Sequence, residues 1–380
     1  MTTTFSTLNT MKPFLQEAWE KAGFSAPTPI QEKAVPLMLD GRDVLAESPT
    51  GTGKTLAYLL PLLEKINPDK KAVQAVILAS SRELIMQISE EIRVWGGGIS
   101  SAALIGGANV KRQVEKLKKQ PQVVAGTPGR IQELIQMKKL KMHEVKLLVL
   151  DEGDQLLVPE HIKNLESIIK STMRDRQLVL FSATLPAQTE ATAKQWMKDA
   201  ETIKVTKTDM PASKVEHLYF VCDRRDRQVM VERIMRGFEP ERILAFINDI
   251  GEVNAFSSKL DYNGFANGIL HSDLNKQERE KALKQFRAGK LPLLFATDVA
   301  ARGLDIKGLT HVLHFDMPKN ATQYTHRAGR TGRSGAEGTV ISLVTEREER
   351  ELKKIARELG IQLQKKQFYK GEPVDVGERR

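Results

Sequence analysis

The 380-residue chain is too long for one ordinary core, and at roughly 100–200 residues per domain it calls for two. Its 41% hydrophobic and 28% charged residues exclude a disordered chain, and no apolar run approaches the roughly 20 residues that cross a bilayer. The net charge of +10 favours phosphate-rich partners; it is shared between both halves and comes with no basic amphipathic helix or lipidation signal, so no membrane partner is expected.

In chain order, Met1 to Asn9 is polar and lacks the basic start and apolar stretch of a signal peptide. Cys222 is the only cysteine, which fits a reducing compartment, and a cytoplasmic location is expected. Apolar runs at Val44–Ala46, Ala75–Ala79, Val123–Ala125, Leu147–Leu150 and Leu178–Phe181 read as buried strands, each followed by Gly, Pro or Ser and an amphipathic stretch. From about residue 215 the rhythm restarts, at His217–Val221, Ile243–Ile247, Gly268–Leu270, Leu293–Ala296, Val312–Phe315 and Val340–Val344. Strands alternating with helices imply an α/β fold with parallel sheets and crossover helices. The polar, Pro-containing stretch Lys204 to Lys214 reads as a linker, so the expected division is 1–207, a linker at 208–214, and 215–380. Lys365 to Arg380 is polar and is expected to be partly unstructured.

The first chemical motif is Ser48-Pro49-Thr50-Gly51-Thr52-Gly53-Lys54-Thr55, between the strand at 43–46 and the helical stretch Leu56–Ile66. Glycines let such a loop curl its N–H groups toward phosphate, and the helix start adds partial positive charge. Lys54 is placed to reach the outer phosphates, and the Thr55 hydroxyl to ligate Mg²⁺. Ser48 stands where the strict pattern has Gly. The second motif, Asp151-Glu152, ends the run at 147–150, where parallel sheets bind ligands. Asp151 is suited to hold Mg²⁺ through water, and Glu152 to orient and deprotonate an attacking water.

With these residues in view, the chain resembles the DEAD-box RNA helicases from Phe5 to about Ser342. The resemblance implies two tandem RecA-like domains with an ATP site in the cleft between them, Mg-ATP as cofactor, and RNA as activator and substrate. Gly23 to Gln31 resembles the family's adenine-reading motif, in which Gln31 would bond both edges of adenine and Phe24 would stack on it; an amide suits this because it donates and accepts at once. Asp151-Glu152-Gly153-Asp154 stands where the family name is spelled, with Gly153 in place of Ala and activity expected to survive. Ser182-Ala183-Thr184 resembles the motif that links the acidic strand to domain closure. In the run His326 to Arg333, Arg330 and Arg333 match arginine fingers that would neutralise the transferring phosphoryl group. Arg327 would bond the acidic motif across the closed cleft, and His326 and Asp154 belong to the same coupling set. Asp305 matches the residue that contacts the nucleotide sugar.

Further segments resemble RNA-contacting motifs: Arg82 in Ser80-Ser81-Arg82, where the family usually has Pro-Thr before the Arg; Gly106-Gly107; Thr127 and Arg130; Asn248; His271; and Thr297 with Arg302. Small residues admit the RNA backbone, helix starts bind phosphate and Arg supplies charge, a grip that reads no base sequence. The leading expectation is a monomeric RNA-stimulated ATPase that separates short duplexes or remodels RNA–protein complexes, with ribosomal RNA or ribosome precursors as its RNA. The alternative is an ATP-gated RNA clamp with little unwinding. A DNA helicase or transporter-type ATPase is disfavoured by the Gln31 motif and by Thr127-Pro128-Gly129-Arg130.

Overall fold

Runs such as Val123-Val124-Ala125 and Leu147-Leu148-Val149-Leu150 have no polar position, and such a strand must be covered on both faces. The computed structural model describes residues 7–377 apart from 25, 207–208, 210–214, 250, 252, 272, 302–305, 307 and 333–335. The chain divides into two units, Met1–Met210 and Pro211–Arg380. Of the linker expected at 208–214, only Asp209 is among the described residues.

The first unit opens with α1 (Pro13–Ala22) and α2 (Pro29–Leu39), then β1 (Val44–Glu47), α3 (Lys54–Lys65), β2 (Ala75–Leu78) and α4 (Arg82–Trp95). It continues with β3 (Ser101–Leu104), α5 (Val110–Lys118), β4 (Val123–Gly126), α6 (Pro128–Gln136) and β5 (Leu147–Asp151). It closes with α7 (Gly153–Leu156), α8 (Pro159–Lys170), β6 (Gln177–Ser182), α9 (Ala187–Lys194) and β7 (Glu201–Lys204). The seven strands form one parallel sheet in the order β3-β4-β2-β5-β6-β1-β7. Alternation sorts each strand between two cores. Val44, Ala46, Ala75, Ile77, Val179 and Phe181 enter one, while Leu45, Val76, Leu78, Leu178 and Leu180 enter the other.

The second unit holds β8 (Val215–Val221), α10 (Arg227–Phe238), β9 (Ile243–Phe246), α11 (Val253–Tyr262), β10 (Asn267–Leu270), α12 (Lys276–Arg287) and β11 (Leu293–Ala296). It ends with α13 (Asp298–Ala301), β12 (His311–His314), α14 (Ala321–Ala328), β13 (Gly338–Val344), α15 (Glu346–Leu359), β14 (Leu363–Tyr369) and β15 (Glu372–Asp375). Its order is β10-β11-β9-β12-β13-β8-β14-β15, parallel except for the β14–β15 hairpin. This hairpin orders the stretch up to Asp375 within the tail expected to be partly unstructured, while residues 378–380 lie outside the described residues. Leu363 to Lys365 extend the sheet along β8, and Phe368 stacks on Phe220 with ring centroids 4.9 Å apart, an anchor that lysines on either side hide from a polarity reading.

Two histidines of β12 are held neutral. Burial, then the neighbouring Arg327 and His217, push His314 well below the ordinary imidazole value, and burial pushes His311 down to about 4. Because the unfolded chain takes up these protons at higher pH than the folded one, stability of this unit falls as pH drops from about 6.5 toward 4, by at most about 1.4 kcal/mol per pH unit for each group. Trp19, Trp95 and Trp196, the three tryptophans of the chain, all lie in the first unit. Urea unfolding at pH 5 rather than pH 7 should therefore move part of the far-UV dichroism transition to lower urea without moving the tryptophan emission transition with it. Equal shifts in both signals would refute this assignment.

Candidate functional site

In a parallel sheet every strand points its carboxyl end the same way, so the loops after the strands converge on one edge. In the first unit β5, β6 and β1 are neighbours, with Asp151 opposite Phe181 and Ser182 opposite Glu47. The acidic motif, the Ser182 motif and the glycine-rich loop thus lie side by side. The loop is stitched to β6 by the Ser48 N–H, which donates to the Ser182 carbonyl at 3.0 Å.

Gly51 and Gly53 turn the loop through left-handed backbone, φ 77° and 87°. At Gly53 a Cβ would also lie 2.6 Å from Gln31 Nε2, so only glycine fits. Ser48 is fully buried, with its hydroxyl 2.7 Å from Thr52 Oγ1, which donates to the Pro49 carbonyl at 2.8 Å; the residue that departs from the strict pattern thereby braces the loop from inside. Lys54 Nζ donates to the carbonyls of Ser48 (2.6 Å) and Pro49 (3.0 Å), which holds the ammonium over the loop. Thr50 and Thr55 are half-buried beside it. Gln31 is buried on α2, where its Oε1 accepts from the Thr28 N–H at 2.9 Å and its Nε2 donates to the Gly53 carbonyl at 3.2 Å. The amide is thus fixed against the loop with one donor and one acceptor position remaining. Phe24 is 46% exposed, and its ring stacks on Trp95 with centroids 6.1 Å apart.

Asp151 is buried at the end of β5. Its Oδ2 accepts from Tyr58 at 2.8 Å and its Oδ1 from the Glu152 N–H at 2.9 Å. Burial first, then the Glu152 charge, raise its pKa to about 6, while the Tyr58 hydroxyl and Lys54 act in the opposite direction. A buried carboxylate followed by a second acidic residue, together with the Thr55 hydroxyl on the helix that carries Tyr58, is a hard-oxygen set suited to a divalent cation. Among the described residues there is no cluster of three or more acidic, His or Cys ligands, so such a cation would take most of its ligands from phosphate and water. Tyr58 was not anticipated from sequence, although it sits one helical turn after Lys54 on α3, the spacing that puts both on one face.

Glu152 stands in left-handed backbone, φ 53°, and its carboxylate accepts from the Ser80 hydroxyl at 3.2 Å. Gly153 is buried, and a Cβ there would come within 2.5 Å of Leu180 Cδ2 and 2.8 Å of its Cγ, so the residue that departs from the family motif sits against a full core. The Ser182 hydroxyl accepts from the Asp154 N–H at 3.0 Å. It also lies 2.9 Å from Asp154 Oδ1 and 2.6 Å from the Thr184 carbonyl, one of which takes its proton. Thr184 Oγ1 completes the clasp to Asp154 Oδ2 at 3.3 Å.

The other half of the same edge, after β2, β4 and β3, carries the residues read as RNA contacts. Arg82 is exposed at the start of α4, beside Gly107, where a Cβ would lie 3.3 Å from its Nη1. Thr127 precedes α6. Arg130 is buried: its Nη1 donates to the Ala108 carbonyl at 3.0 Å and its Nε to Glu133 at 2.8 Å, so it shapes the Gly106-Gly107 loop from beneath.

In the second unit Asn248, His271 and Thr297 follow β9, β10 and β11. Thr297 Oγ1 accepts from the Ala300 N–H at 3.4 Å, and His271 Nδ1 from the Asp273 N–H at 3.3 Å. Within the second unit Arg327 is fully buried and bonds Asp298 from Nε (2.7 Å) and Nη2 (2.6 Å), the Asp316 carbonyl from Nη1 (2.7 Å) and Asn248 Oδ1 from Nη2 (2.8 Å). All three guanidinium nitrogens thus tie together the loops after β9, β11 and β12. Just past the end of α14, Arg330 is largely buried and its Nε donates to the His326 carbonyl at 3.1 Å. Asp305, Arg302 and Arg333 lie outside the described residues, as does Phe5.

Residues 28–192 match the family model described as DEAD/DEAH box helicase, and residues 226–335 that of the helicase conserved C-terminal domain. The chain is 52% identical to the probable ATP-dependent RNA helicase YfmL of Bacillus subtilis over 96% of both chains. It is also 52% identical to the DEAD-box ATP-dependent RNA helicase CshC of Bacillus cereus, over 96% of this chain and 94% of that one. Among solved structures, S. cerevisiae Dbp5 bound to RNA and ADP BeF3 is similar with a TM-score of 0.85 and 31% identity, covering 95% of each chain.

Proposed function

This chain belongs to the DEAD/DEAH box helicase family, as an RNA-binding, ATP-hydrolysing RNA helicase built of two RecA-like units, and from that premise we propose how its own residues divide the work. The observation that carries the proposal is the convergence of the Lys54 loop, the Asp151-Glu152 pair and the Ser182 motif on the β5-β6-β1 edge. Lys54 leaves the Ser48 and Pro49 carbonyls to meet the outer phosphates of ATP, and Gln31 and Phe24 read and stack the adenine. Glu152 orients the water and takes its proton. Thr55 and Asp151 would hold Mg²⁺, which on binding supplies positive charge at the phosphates. Arg330 and Arg333 act on the transferring phosphoryl group, and Asp305 on the sugar. The Asp154–Ser182–Thr184 clasp, with His326, relays closure. Arg327, bonded within the second unit to Asp298, Asn248 and the Asp316 carbonyl, belongs to the same coupling set.

Arg82, Gly106, Gly107 and Thr127, with Asn248, His271, Thr297 and Arg302, form the RNA track, and Arg130 supports it. The enzyme acts as a cytoplasmic monomer on ribosomal RNA or precursor ribosomal particles. RNA is expected to raise ATP turnover well above the level reached with single-stranded DNA of the same sequence and length, because a track that admits the backbone senses the 2′-hydroxyl. Equal stimulation by the DNA would refute the RNA track. A strand-displacement assay alongside separates unwinding from clamping.

A further inference from the structure

We propose that Ser80 is a positioning residue for Glu152, through which the loop that grips RNA also aims the base that activates water. The inference rests on the reading of Glu152 as that base and of the Arg82 loop as an RNA contact.

The placement follows from the sheet. β2 and β5 are neighbours, with Leu78 opposite Leu150, so two residues further on Ser80 arrives beside Glu152. The Ser80 hydroxyl donates to Glu152 Oε2 at 3.2 Å, and among the described residues it is the one hydrogen bond given to that carboxylate. Both residues are half-buried. Glu152 is a non-glycine residue in left-handed backbone, so its side chain leaves the strand end in an unusual direction and gains from a fixed partner. The next residues on the Ser80 side point the other way. Ser81 Oγ accepts from the Leu84 N–H at 3.2 Å and caps α4, and Arg82 stands exposed against Gly107. Three consecutive residues thus join the two halves of the carboxyl edge, with Ser80 on the phosphate side, Ser81 fixing the helix and Arg82 on the RNA side. The proline usual at position 80 in the family has no hydroxyl to give, so this link is a feature of the present chain. A phosphate strand drawn against Arg82 and the α4 start pulls on the same loop, and the Ser80 hydroxyl passes that restraint to the carboxylate.

A bond that only orients the base acts on the rate of the chemical step and leaves ground-state binding alone. Ser80→Ala, measured at saturating RNA, is therefore expected to lower kcat roughly tenfold, in line with the loss of one hydrogen bond to a charged group, while the KM for ATP and the RNA half-saturation stay within about twofold. Ser80→Thr keeps the hydroxyl and should restore kcat to within about threefold of the parent. A kcat for Ser80→Ala within twofold of the parent overturns the proposal. So does a loss expressed in RNA half-saturation with kcat intact, which would make Ser80 an RNA contact, and so does a Ser80→Thr variant as slow as Ser80→Ala. Glu152→Gln is run alongside: unimpaired turnover in that variant would instead remove the role of Glu152 on which the proposal stands.

Discussion

Replacing Arg330 by alanine is expected to lower RNA-stimulated ATP turnover by roughly 10³–10⁵, the range an arginine finger supplies in related phosphoryl-transfer systems. The chemical reason is that charge spreads over the oxygens of the departing phosphoryl group, and a planar, permanently charged guanidinium can meet two of them at once. Arg330 belongs to the Pro211–Arg380 unit, whereas Lys54, Asp151 and Glu152 belong to Met1–Met210. Nucleotide affinity, read with a fluorescent ATP analogue, should fall far less than turnover, because the loop that cradles the phosphates is intact. Arg330→Lys keeps the charge without the fork and should recover little of the rate. The side chain is largely buried with its Nε on the His326 carbonyl, so thermal unfolding of each variant must accompany the kinetics. A correctly folded Arg330→Ala protein with turnover near that of the parent would take Arg330 out of the reaction.

Glu152→Gln is expected to lower steady-state hydrolysis by roughly 10²–10⁴, the usual worth of a positioned general base, with ATP and RNA still bound. The amide keeps the shape and can still accept from Ser80 Oγ, 3.2 Å away, but it cannot take a proton from water. Removing one of two adjacent negative charges should also relax Asp151, whose carboxyl is raised to about 6 by burial and then by Glu152. Nucleotide should therefore dissociate no faster than from the parent, and RNA should stay trapped in its presence. Rapid hydrolysis by the RNA-bound variant would show that another group handles the water.

Much of the architecture was legible in the sequence because each parallel strand is buried on both faces, so its apolar run needs no partner to be recognised. The two edge strands of the first unit escaped this logic. Ser101-Ala102-Ala103-Leu104 is short and built of small residues, and Glu201-Thr202-Ile203-Lys204 is half polar, since an edge strand has only one neighbour. The glycine-rich loop was legible for a chemical reason, because few sequences can turn through φ 77° and 87° and end on a lysine. The contacts that tune the site were not. Tyr58 meets Asp151 from 93 positions away, and Ser80 meets Glu152 from 72 positions away, through the register of β2 against β5, which no local pattern encodes. The same holds for Arg327: its motif is regular, yet the partners that bury it, Asp298, Asn248 and Asp316, come from three separate loops.

The common direction of the strands in the first unit also fixes where the molecule tolerates decoration. The crossover helices return to the sheet at the amino edge, among them through the turns at 66–74, 119–122, 137–146 and 171–176, on the side opposite to Lys54 and Glu152. Met137 to Lys139 and Met173 to Asp175 are exposed there. A cysteine introduced at Lys138 or Arg174 for a dye, or a small affinity tag spliced into either turn, would sit away from both halves of the carboxyl edge. Since Cys222 is the lone native thiol, and burial pushes it up to about 11, maleimide chemistry at neutral pH would favour the introduced site, so that this unit can be surface-tethered while its working edge faces solution.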